Sequence, residues 1–408
     1  MGGHDPQESL QYRKIKFNSN DMNDIYISPD IKYIGVDDKD IDLFESQYRV
    51  PDGVTYNSYV ILDGKTAVLD TVDLRRCSQW LANLENALGE RKPDYLIVHH
   101  LEPDHAGSIA VFAEKYPDAT IVLSKKASGM IGQFFSDIVP ARMKPVEEGE
   151  TLALGKHALT FVMAPMVHWP EVMVSYESTE KILFSADGFG KFGAMDTDEP
   201  WDDEARRYFI NIVGKYGAQV QALLKKASAL DIRIIAPLHG PILKENLGHY
   251  IEKYDIWSSY RPEEEGILVA FASIHGNTAK TARYIAEKLR SRGATVVVSD
   301  LSRDDMHKAV ADAFRFDRMI LAASSYDAGV FPPMEKFLNH LKAKNFQNRK
   351  VAIVENGSWA PSAGRIMRAA LEGMKNITIC ENSVTIRSTM KECDKEAINA
   401  MIEELLAK

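Results

Sequence analysis

The pattern of hydrophobic and polar positions changes once along the chain, near residue 254. Before it, short apolar runs rich in strand formers alternate with amphipathic segments. Residues 59–62 and 66–70 flank Asp63-Gly64, a strong β-hairpin signal, and the run at 95–99 predicts a buried strand. Apolar spacing predicts a helix over 74–88 and a long amphipathic helix from about 203 to 229. Further strands are expected at 120–123, 159–163, 172–176, 182–185 and 232–236.

The segment 254–266 (YDIWSSYRPEEEG) breaks this pattern with Pro262 and a run of glutamates. After it, strands and helices alternate strictly, which is typical of a doubly wound parallel sheet. The sequence therefore predicts two domains, residues 1–260 and residues 261–408. The expected strands are 267–272, 295–299, 318–323, 350–354 and 377–380, and the expected helices are 277–291, 304–313, 334–343, 364–373 and 394–407.

Composition excludes several classes of protein. Hydrophobic residues make up 45% and charged residues 26% of 408, which excludes disorder and collagen-like repeats. The formal net charge is −9, so we expect no nucleic-acid partner. No apolar run reaches about 18 residues, so no membrane span is expected. The polar N-terminus lacks a secretory signal, and we expect a cytoplasmic location.

The three cysteines, Cys77, Cys380 and Cys393, lie far apart and form no CxxC pair. They exclude a disulfide framework and a cysteine-ligated zinc or iron–sulfur site. The eleven histidines are therefore the candidates for metal binding.

Four potential ligands occur within six residues directly after the strand at 95–99, in His100-Leu101-Glu102-Pro103-Asp104-His105. Side chains at the carboxyl ends of strands can converge on a ligand. If the segment stays extended, alternation places His100, Glu102 and Asp104 on one side, and Pro103 biases Glu102 away from helix. Taken alone, the cluster is also compatible with a surface loop.

Three more candidates follow predicted strands further along the chain: His168, Asp187 and His239. Each alone is more often a core histidine or a turn-capping aspartate than a ligand. Their shared position at strand ends is what makes them credible as ligands.

The order HxExDH, then His, Asp and His before Gly, resembles the metallo-β-lactamase superfamily. Its zinc hydrolases usually have HxHxDH, and Glu102 at the second histidine's place resembles the flavodiiron proteins. That resemblance implies two irons. His100, Glu102 and His168 would hold one, Asp104, His105 and His239 the other, and Asp187 would bridge them. Imidazole and carboxylate ligands suit iron, although zinc also accepts carboxylate.

The remaining histidines receive structural interpretations. His99 is one residue out of phase with the cluster, so we expect it to point away from the metals. We expect surface positions for His4, His157, His249, His307 and His340. Tyr26, Trp169 and Phe189 are candidates for pocket lining, with packing as the favoured interpretation.

The second domain carries three small, polar loops at the expected carboxyl edge of its sheet. The first lies between a strand and a helix, where hydroxyls and backbone amides favour a phosphate. It has neither GxGxxG nor GxxxxGK[ST], which disfavours a dinucleotide or nucleoside triphosphate site. The three loops resemble the flavodoxin FMN site, and the candidate residues are Ser273, Ile274, His275, Gly276, Asn277, Thr278, Ser324, Ser325, Tyr326, Asp327, Ala328, Gly329, Asn356, Gly357, Ser358, Trp359 and Ala360.

The flavodiiron resemblance implies an α/β fold, with an N-terminal metallo-β-lactamase-like αββα sandwich followed by a flavodoxin-like doubly wound parallel sheet. It implies an oxidoreductase that reduces dioxygen to water or nitric oxide to nitrous oxide. FMN would pass electrons from an external donor such as rubredoxin, since no CxxC module is present. It also implies a head-to-tail homodimer or a dimer of dimers. Two alternatives remain: a zinc hydrolase of the metallo-β-lactamase type with a fused flavodoxin domain, and a non-catalytic electron carrier or redox sensor.

Overall fold

The structure is a computed structural model that describes residues 27–136 and 142–407. His4 and Tyr26 lie outside the described residues. Before residue 260 the elements are β1 (Ile31–Tyr33), β2 (Val36–Asp38), β3 (Leu43–Phe44), β4 (Tyr48–Arg49), β5 (Val54–Tyr56), β6 (Tyr59–Leu62), β7 (Thr66–Leu69), α1 (Cys77–Leu88), β8 (Tyr95–Val98), α2 (Pro103–Ala106), α3 (Ile109–Lys115), β9 (Thr120–Ser124), α4 (Lys125–Met130), β10 (Met143–Val146), β11 (Thr151–Ala153), β12 (Ala158–Met163), β13 (Met173–Glu177), β14 (Ile182–Phe184), α5 (Trp201–Tyr208), α6 (Gly217–Ala227), β15 (Ile234–Ala236) and α7 (Leu247–Ser258).

Two sheets pack face to face in this first part. One has the order β1-β6-β7-β8-β9-β10 and the other the order β11-β12-β13-β14-β15. Apolar residues of both sheets form one buried cluster that includes Ile97, Phe161 and Phe184. Helix α1 covers the outer face of the first sheet with Trp80 and Leu84, both fully buried. This is the αββα sandwich expected from the sequence, and the predicted hairpin is present as the antiparallel pair β6–β7.

The long helix predicted over about 203–229 is interrupted, so that prediction is wrong. Helix α5 ends at Tyr208, a π-helical segment follows at Phe209–Val213, and a 3-10 turn occupies Gly214–Tyr216 before α6. The Tyr260 hydroxyl donates to the Gly214 carbonyl and accepts from the Gly217 N–H, so it inserts into the helical hydrogen-bond ladder. The apolar periodicity continues across this break and therefore conceals it.

Two of the histidines expected at the surface are buried, which corrects that prediction. The His157 ring nitrogen Nδ1 lies 3.0 Å from the Asp63 carboxylate in the β6–β7 turn. The His307 ring lies edge-on against Tyr48, with 4.6 Å between ring centroids. His249 and His340 are half-buried. All four lie within contact distance of other side chains, which position along the chain could not reveal.

The chain passes from α7 into a second, mostly parallel sheet. Its elements are β16 (Glu264–Ala272), α8 (Asn277–Ser291), β17 (Val296–Asp300), α9 (Met306–Arg315), β18 (Phe316–Tyr326), β19 (Gly329–Val330), α10 (Pro332–Ala343), β20 (Arg349–Asn356), α11 (Ala363–Glu372), β21 (Ile377–Ile379), β22 (Val384–Ile386) and α12 (Asp394–Leu406).

The strand order of this sheet is β17-β16-β18-β20-β21, and β22 also pairs in parallel with β20. Helices α8 and α12 bury Leu289 and Ile402 against one face, while α10 and α11 bury Phe337 and Met367 on the other side. Helices on both faces of a parallel sheet make the doubly wound fold that strict strand–helix alternation predicts. None of the helices in the described part of the chain has the length and apolar character needed to cross a bilayer.

Candidate metal centre and flavin pocket

Loops that follow strands of both sheets bring four of the predicted ligands together. His100 and Glu102 follow β8, His168 follows β12, and Asp187 follows β14. Their candidate ligand atoms all lie within 4.8 Å of one another. His168 Nε2 is 2.9 Å from Glu102 Oε2 and 3.1 Å from Asp187 Oδ2. His100 Nε2 is 3.3 Å from the same Asp187 oxygen. We call these four residues the first group.

The second group consists of Asp104, His105 and His239, whose ligand atoms also meet within 4.8 Å. The Nε2 atoms of His105 and His239 are 3.0 Å apart. Asp104 Oδ2 lies 3.3 Å from His105 Nε2 and 3.2 Å from His239 Nε2. Helix α2 supplies Asp104 and His105, whereas His239 follows β15.

Asp187 faces both groups with different oxygens. Its Oδ2 belongs to the first group, and its Oδ1 lies 3.7 Å from His105 Nε2 and 3.9 Å from His239 Nε2. A buried carboxylate between two clusters of imidazole nitrogens is suited to bridge two cations. All seven predicted ligands therefore occupy one connected site.

The local path of the cluster differs from the extended segment expected from the sequence. Glu102 is extended, with ψ of 132°, but Pro103 begins α2 and places Asp104 and His105 in a helical turn. Proline is favoured at the first helical position because its missing N–H would be unpaired there. The helical turn directs Asp104 away from Glu102 and into the second group. The expectation that His100, Glu102 and Asp104 share one side of an extended strand is therefore wrong.

Several buried ligand atoms have no hydrogen-bond partner within the described chain: both His100 nitrogens, both Asp104 carboxylate oxygens, His168 Nε2 and Asp187 Oδ1. Leaving such atoms unpaired is costly, since buried polar groups are nearly always satisfied. These nitrogens and carboxylate oxygens converge on common points, where bound cations would satisfy them. The donor set therefore fits a pair of metal ions with His, Asp and Glu ligands.

Burial and neighbouring charges shift the pKa values of three of these ligands in different directions. Although burial alone would lower it, Asp187, with Asp104 and Glu102, raises the pKa of His100 to about 10. Burial, with the neighbouring charge of His239, lowers the pKa of His105 to about 4. Burial and the charge of Asp104 raise the pKa of Glu102 to about 7. These opposing shifts follow from burying imidazoles and carboxylates together at short distances.

A second layer of hydrogen bonds orients the ligands. His99 points away from both groups, as predicted, and its ring contacts Asp70 through Nδ1 and Ser175 through Nε2. His239 Nδ1 is 2.6 Å from the Thr55 carbonyl oxygen, which leaves Nε2 to face the second group. Buried Glu171 accepts a hydrogen bond of 3.0 Å from the Leu101 N–H. Nothing in the local sequence of Asp70, Thr55 or Glu171 marks these contacts, which arise only on folding.

A pocket of about 450 Å³ opens over Glu102 and Asp104. Its rim includes residues 41–46 around β3 and the side chain of Arg75. Of the aromatic candidates, Trp169 packs near Phe134 with 6.2 Å between ring centroids. Phe189 stacks on Tyr254 at 4.2 Å. Neither lines this pocket, although Phe189 lines a separate apolar cavity.

A second pocket, of about 470 Å³, lies at the carboxyl edge of the parallel sheet. All predicted flavin-site residues line it except Gly276 and Gly329, and Ser362 and Ser388 line it as well. Gly276 instead lies at the start of α8 with a φ of 89°, a conformation that favours glycine. Ser388 was missed because it follows the short strand β22, which the sequence analysis did not distinguish. We call this cavity the flavin pocket.

The flavin pocket has distinct polar and aromatic ends. Near the start of α8, Ser273 Oγ accepts from the Gly276 N–H at 3.1 Å, and the hydroxyls of Thr278 and Ser324 are 2.9 Å apart. Hydroxyls beside a helix N-terminus suit a phosphate. At the other end Trp359 is 83% exposed and Tyr326 is 45% exposed. Open aromatic faces beside a cavity are suited to a planar ring, so the pocket fits a flavin mononucleotide.

Comparisons with known proteins agree with the two kinds of domain seen in the fold. Residues 54–240 match the model of the ODP family beta lactamase, and residues 268–378 match a flavodoxin domain. The solved structure of rubredoxin:oxygen oxidoreductase from Desulfovibrio gigas aligns with a TM-score of 0.87 and 25% identity, covering 93% of this chain and 97% of that one. The flavodiiron protein of Giardia intestinalis aligns with a TM-score of 0.86 and 26% identity, over 93% and 95%.

The chain belongs to the flavodiiron proteins. A nitric oxide reductase of Moorella thermoacetica is 28% identical over 89% of this chain and 93% of its own length. As a flavodiiron protein, the chain is an oxidoreductase whose cofactors are FMN and a non-haem diiron centre. The family membership and the fold inferred from the sequence are thereby confirmed, and the hydrolase alternative is disfavoured.

Proposed function

We propose that the first and second groups each hold one iron and that Asp187 bridges the pair. His100, Glu102 and His168 would bind one iron; Asp104, His105 and His239 would bind the other. This proposal rests on Asp187, whose two carboxylate oxygens face different groups. The unpaired buried nitrogens and oxygens at both groups support it independently.

FMN would occupy the flavin pocket with its phosphate at the start of α8. The hydroxyls of Ser273 and Thr278 lie at that end, and Tyr326 and Trp359 would contact the ring. Asp327 is the pocket's acidic side chain, with a φ of 48° that places it in a tight turn. Main-chain amides of the three loops would donate hydrogen bonds to the edge of the flavin ring.

The reaction would be the reduction of dioxygen to water or of nitric oxide to nitrous oxide. When bound, the irons supply redox-active positions open to a diatomic gas, and FMN supplies the electrons. The two substrates are those named for the Desulfovibrio gigas and Moorella thermoacetica relatives. The carboxylate oxygens of Glu102, Asp104 and Asp187 are hard donors, which would suit iron in its ferric state.

The protein's own contribution is to fix the ligand orientations and to keep water away from them. The ring of His239 lies edge-on to Phe44, with centroids 5.4 Å apart, and the ring of Tyr208 lies at the same distance. Tyr56 packs edge-on against His105 at 6.1 Å. These rings are buried, so the imidazoles hold one orientation in a low-dielectric environment where electrostatic interactions are strong.

Electrons would come from a rubredoxin-type donor, and a head-to-tail dimer would deliver them. The pocket over the metal groups is lined by residues 41–104, whereas the flavin pocket is lined by residues 273–388. In a head-to-tail dimer, the flavin pocket of one chain would face the metal pocket of the other. A dimer of such dimers and a cytoplasmic location stay predictions.

The proposed function is tested by metal analysis and gas consumption on the same preparation. We expect two irons and one FMN per chain. When reduced rubredoxin and one of the two gases are added to the anaerobic protein, we expect the dioxygen or nitric oxide to be consumed. Comparing steady-state rates with the two gases identifies the preferred substrate. Zinc in place of iron, with esterase activity and no gas consumption, would contradict the proposal in favour of a hydrolase.

A further inference from the structure

A narrow apolar cavity of about 30 Å³ lies between the second sheet of the sandwich and helix α6. The sheet contributes Val162, Val174 and Leu183, and the helix contributes Val220 and Leu224. A single water requires roughly 10–15 Å³ measured in this way, so the cavity has room for a small molecule. It is separate from both pockets described above, with which it shares no lining residue.

The polar atoms of its wall are already engaged. Ser185 Oγ donates to the Gly188 carbonyl at 2.6 Å, and the Tyr254 hydroxyl accepts from the Phe189 N–H at 2.5 Å. The side chains therefore offer a water molecule one donor, the hydroxyl hydrogen of Tyr254, beside lone pairs on two hydroxyl oxygens that already take part in hydrogen bonds. A buried water needs two to four polar partners, so this cavity favours an apolar occupant.

Three residues of the cavity wall are neighbours along the chain of two ligands of the first metal group, and we call their side the inner end. Val167 directly precedes His168, while Gly188 and Phe189 directly follow Asp187. Val167 is 4% exposed and Phe189 is 7% exposed, so this end is closed to solvent. Two of the four residues in the first group are thus covalently adjacent to the cavity wall.

The outer end is more accessible than the inner end. Leu223, Leu224 and Ala227 at the carboxyl-terminal end of α6, and Leu230 just after it, are all half-buried. The lining therefore changes from half-buried aliphatic side chains at the surface to fully buried ones beside the ligands. Such a gradient describes a path that admits small apolar molecules and excludes ions and polar solutes.

We propose that this cavity binds an apolar diatomic gas and conducts it from the surface at α6 to the first metal group. The proposal rests on the proposed function, because it assigns a path to that reaction's substrate. Gas entry through α6 would leave the polar pocket over Glu102 and Asp104 free for electron delivery. The two reactants would then reach the metals from different directions.

Xenon tests the cavity without requiring turnover, since it is an apolar probe that occupies dry cavities. We expect xenon-pressurised crystals of the full chain to show the atom in contact with Val167 and Val220. Ala227→Phe should fill the outer end and abolish xenon binding, and A227L serves if the larger side chain prevents folding. Ala222→Phe is the matched control, because Ala222 is exposed on the same helix and lies outside the lining.

In the iron- and FMN-loaded protein, A227F should raise KM for the gas several-fold while kcat at saturating gas and reduction of FMN by the donor stay unchanged. A222F should behave as the wild type. Gas consumption without xenon binding, or an unchanged KM in A227F, would overturn the cavity proposal and leave the proposed function standing. Xenon binding in a loaded protein that consumes neither gas would overturn the proposed function and the gas path with it.

Discussion

Glu263 accepts two hydrogen bonds from the guanidinium group of Arg206, at 2.5 and 3.0 Å, and both side chains are 4% exposed. Arg206 lies on α5 and Glu263 directly precedes β16, so this buried ion pair joins the sandwich to the parallel sheet. Lys253 and Trp257 also donate to Glu263, at 2.5 and 2.8 Å. Although burial alone would raise it, Arg206 and these donors lower the pKa of Glu263 to about 2.

Replacing Glu263 with glutamine should destabilise the protein by about 3 kcal/mol at neutral pH, since Arg206 would lose its buried charged partner and keep Asp203, which is 53% exposed, at 2.9 Å. The folded pKa of Glu263 lies below the usual value of 4.5, so its contribution is present above that value. It is lost as pH falls from about 4.5 toward 2. Urea unfolding at several pH values measures this: the difference between wild type and E263Q should shrink over that interval.

The matched control for Glu263 is Glu392→Gln. Glu392 pairs with Lys395 at 2.6 Å, but it is 86% exposed. An exposed pair contributes about 1 kcal/mol or less, so E392Q should unfold almost as the wild type does. Equal effects of the two substitutions, or a difference between wild type and E263Q that is independent of pH, would show that the boundary ion pair contributes little.

Asp187→Asn should reduce the iron content from two per chain to one or fewer, because one carboxylate oxygen faces each group. The flavin pocket contains no residue near this position along the chain, so the FMN content should stay unchanged. Iron analysis and the flavin absorbance of the purified protein measure both. Asp198→Asn, an exposed aspartate on the same segment, should keep both irons. Two tightly bound irons in D187N would rule out the bridging role.

Trp359→Ala should weaken FMN binding about 10-fold, given that stacking of a flat base on an aromatic side chain contributes about 1–3 kcal/mol. The side chain is 83% exposed, so its removal should not alter the stability of the fold. Titration of the apoprotein with FMN, followed by quenching of flavin fluorescence, gives the affinity. W359F should recover most of it, while Leu74→Ala, another exposed apolar residue, should have no effect. Unchanged affinity in W359A would place the ring elsewhere.

The convergence of the seven ligands could be predicted because each lies shortly after a strand that has a clear local hydrophobic pattern. His168, Asp187 and His239 lie at the ends of β12, β14 and β15, and the fold brings those ends to one edge. The positions of strands and of their ends follow from local hydrophobic patterning, so residues at those ends are identifiable from the sequence. The assignment of each ligand to a metal, and the division of the chain at residue 260, stay predictions.

What the sequence left unresolved depends on contacts between distant segments. The break after Tyr208 depends on Tyr260, whose hydroxyl reaches Gly214 and Gly217 from another element. His157 is buried because Asp63 in a turn accepts its backbone N–H at 2.7 Å. Neither contact leaves a trace in the local hydrophobic pattern. The helical turn at Pro103 could have been predicted, since proline at the first helical position is common.

Glu171 contacts the segment that carries the ligands His100 and Glu102. It is 2% exposed, and its Oε1 accepts from the N–H of Leu101, which lies between the ligands His100 and Glu102. Glu171→Ala should therefore loosen that segment and lower iron affinity about 10-fold or more, the usual cost of removing a group that orients metal ligands. Competition with a chelator measures the affinity.

Glutamine keeps an oxygen that can accept the same hydrogen bond from Leu101, so E171Q should bind iron nearly as tightly as the wild type. The Oε2 of Glu171 has no hydrogen-bond partner among the described residues, so the hydrogen bond through Oε1 is the contact that the two substitutions compare. A loss of iron in E171Q equal to that in E171A would show that the negative charge matters rather than the hydrogen bond. Full iron affinity in E171A would show that the segment holds its path without Glu171.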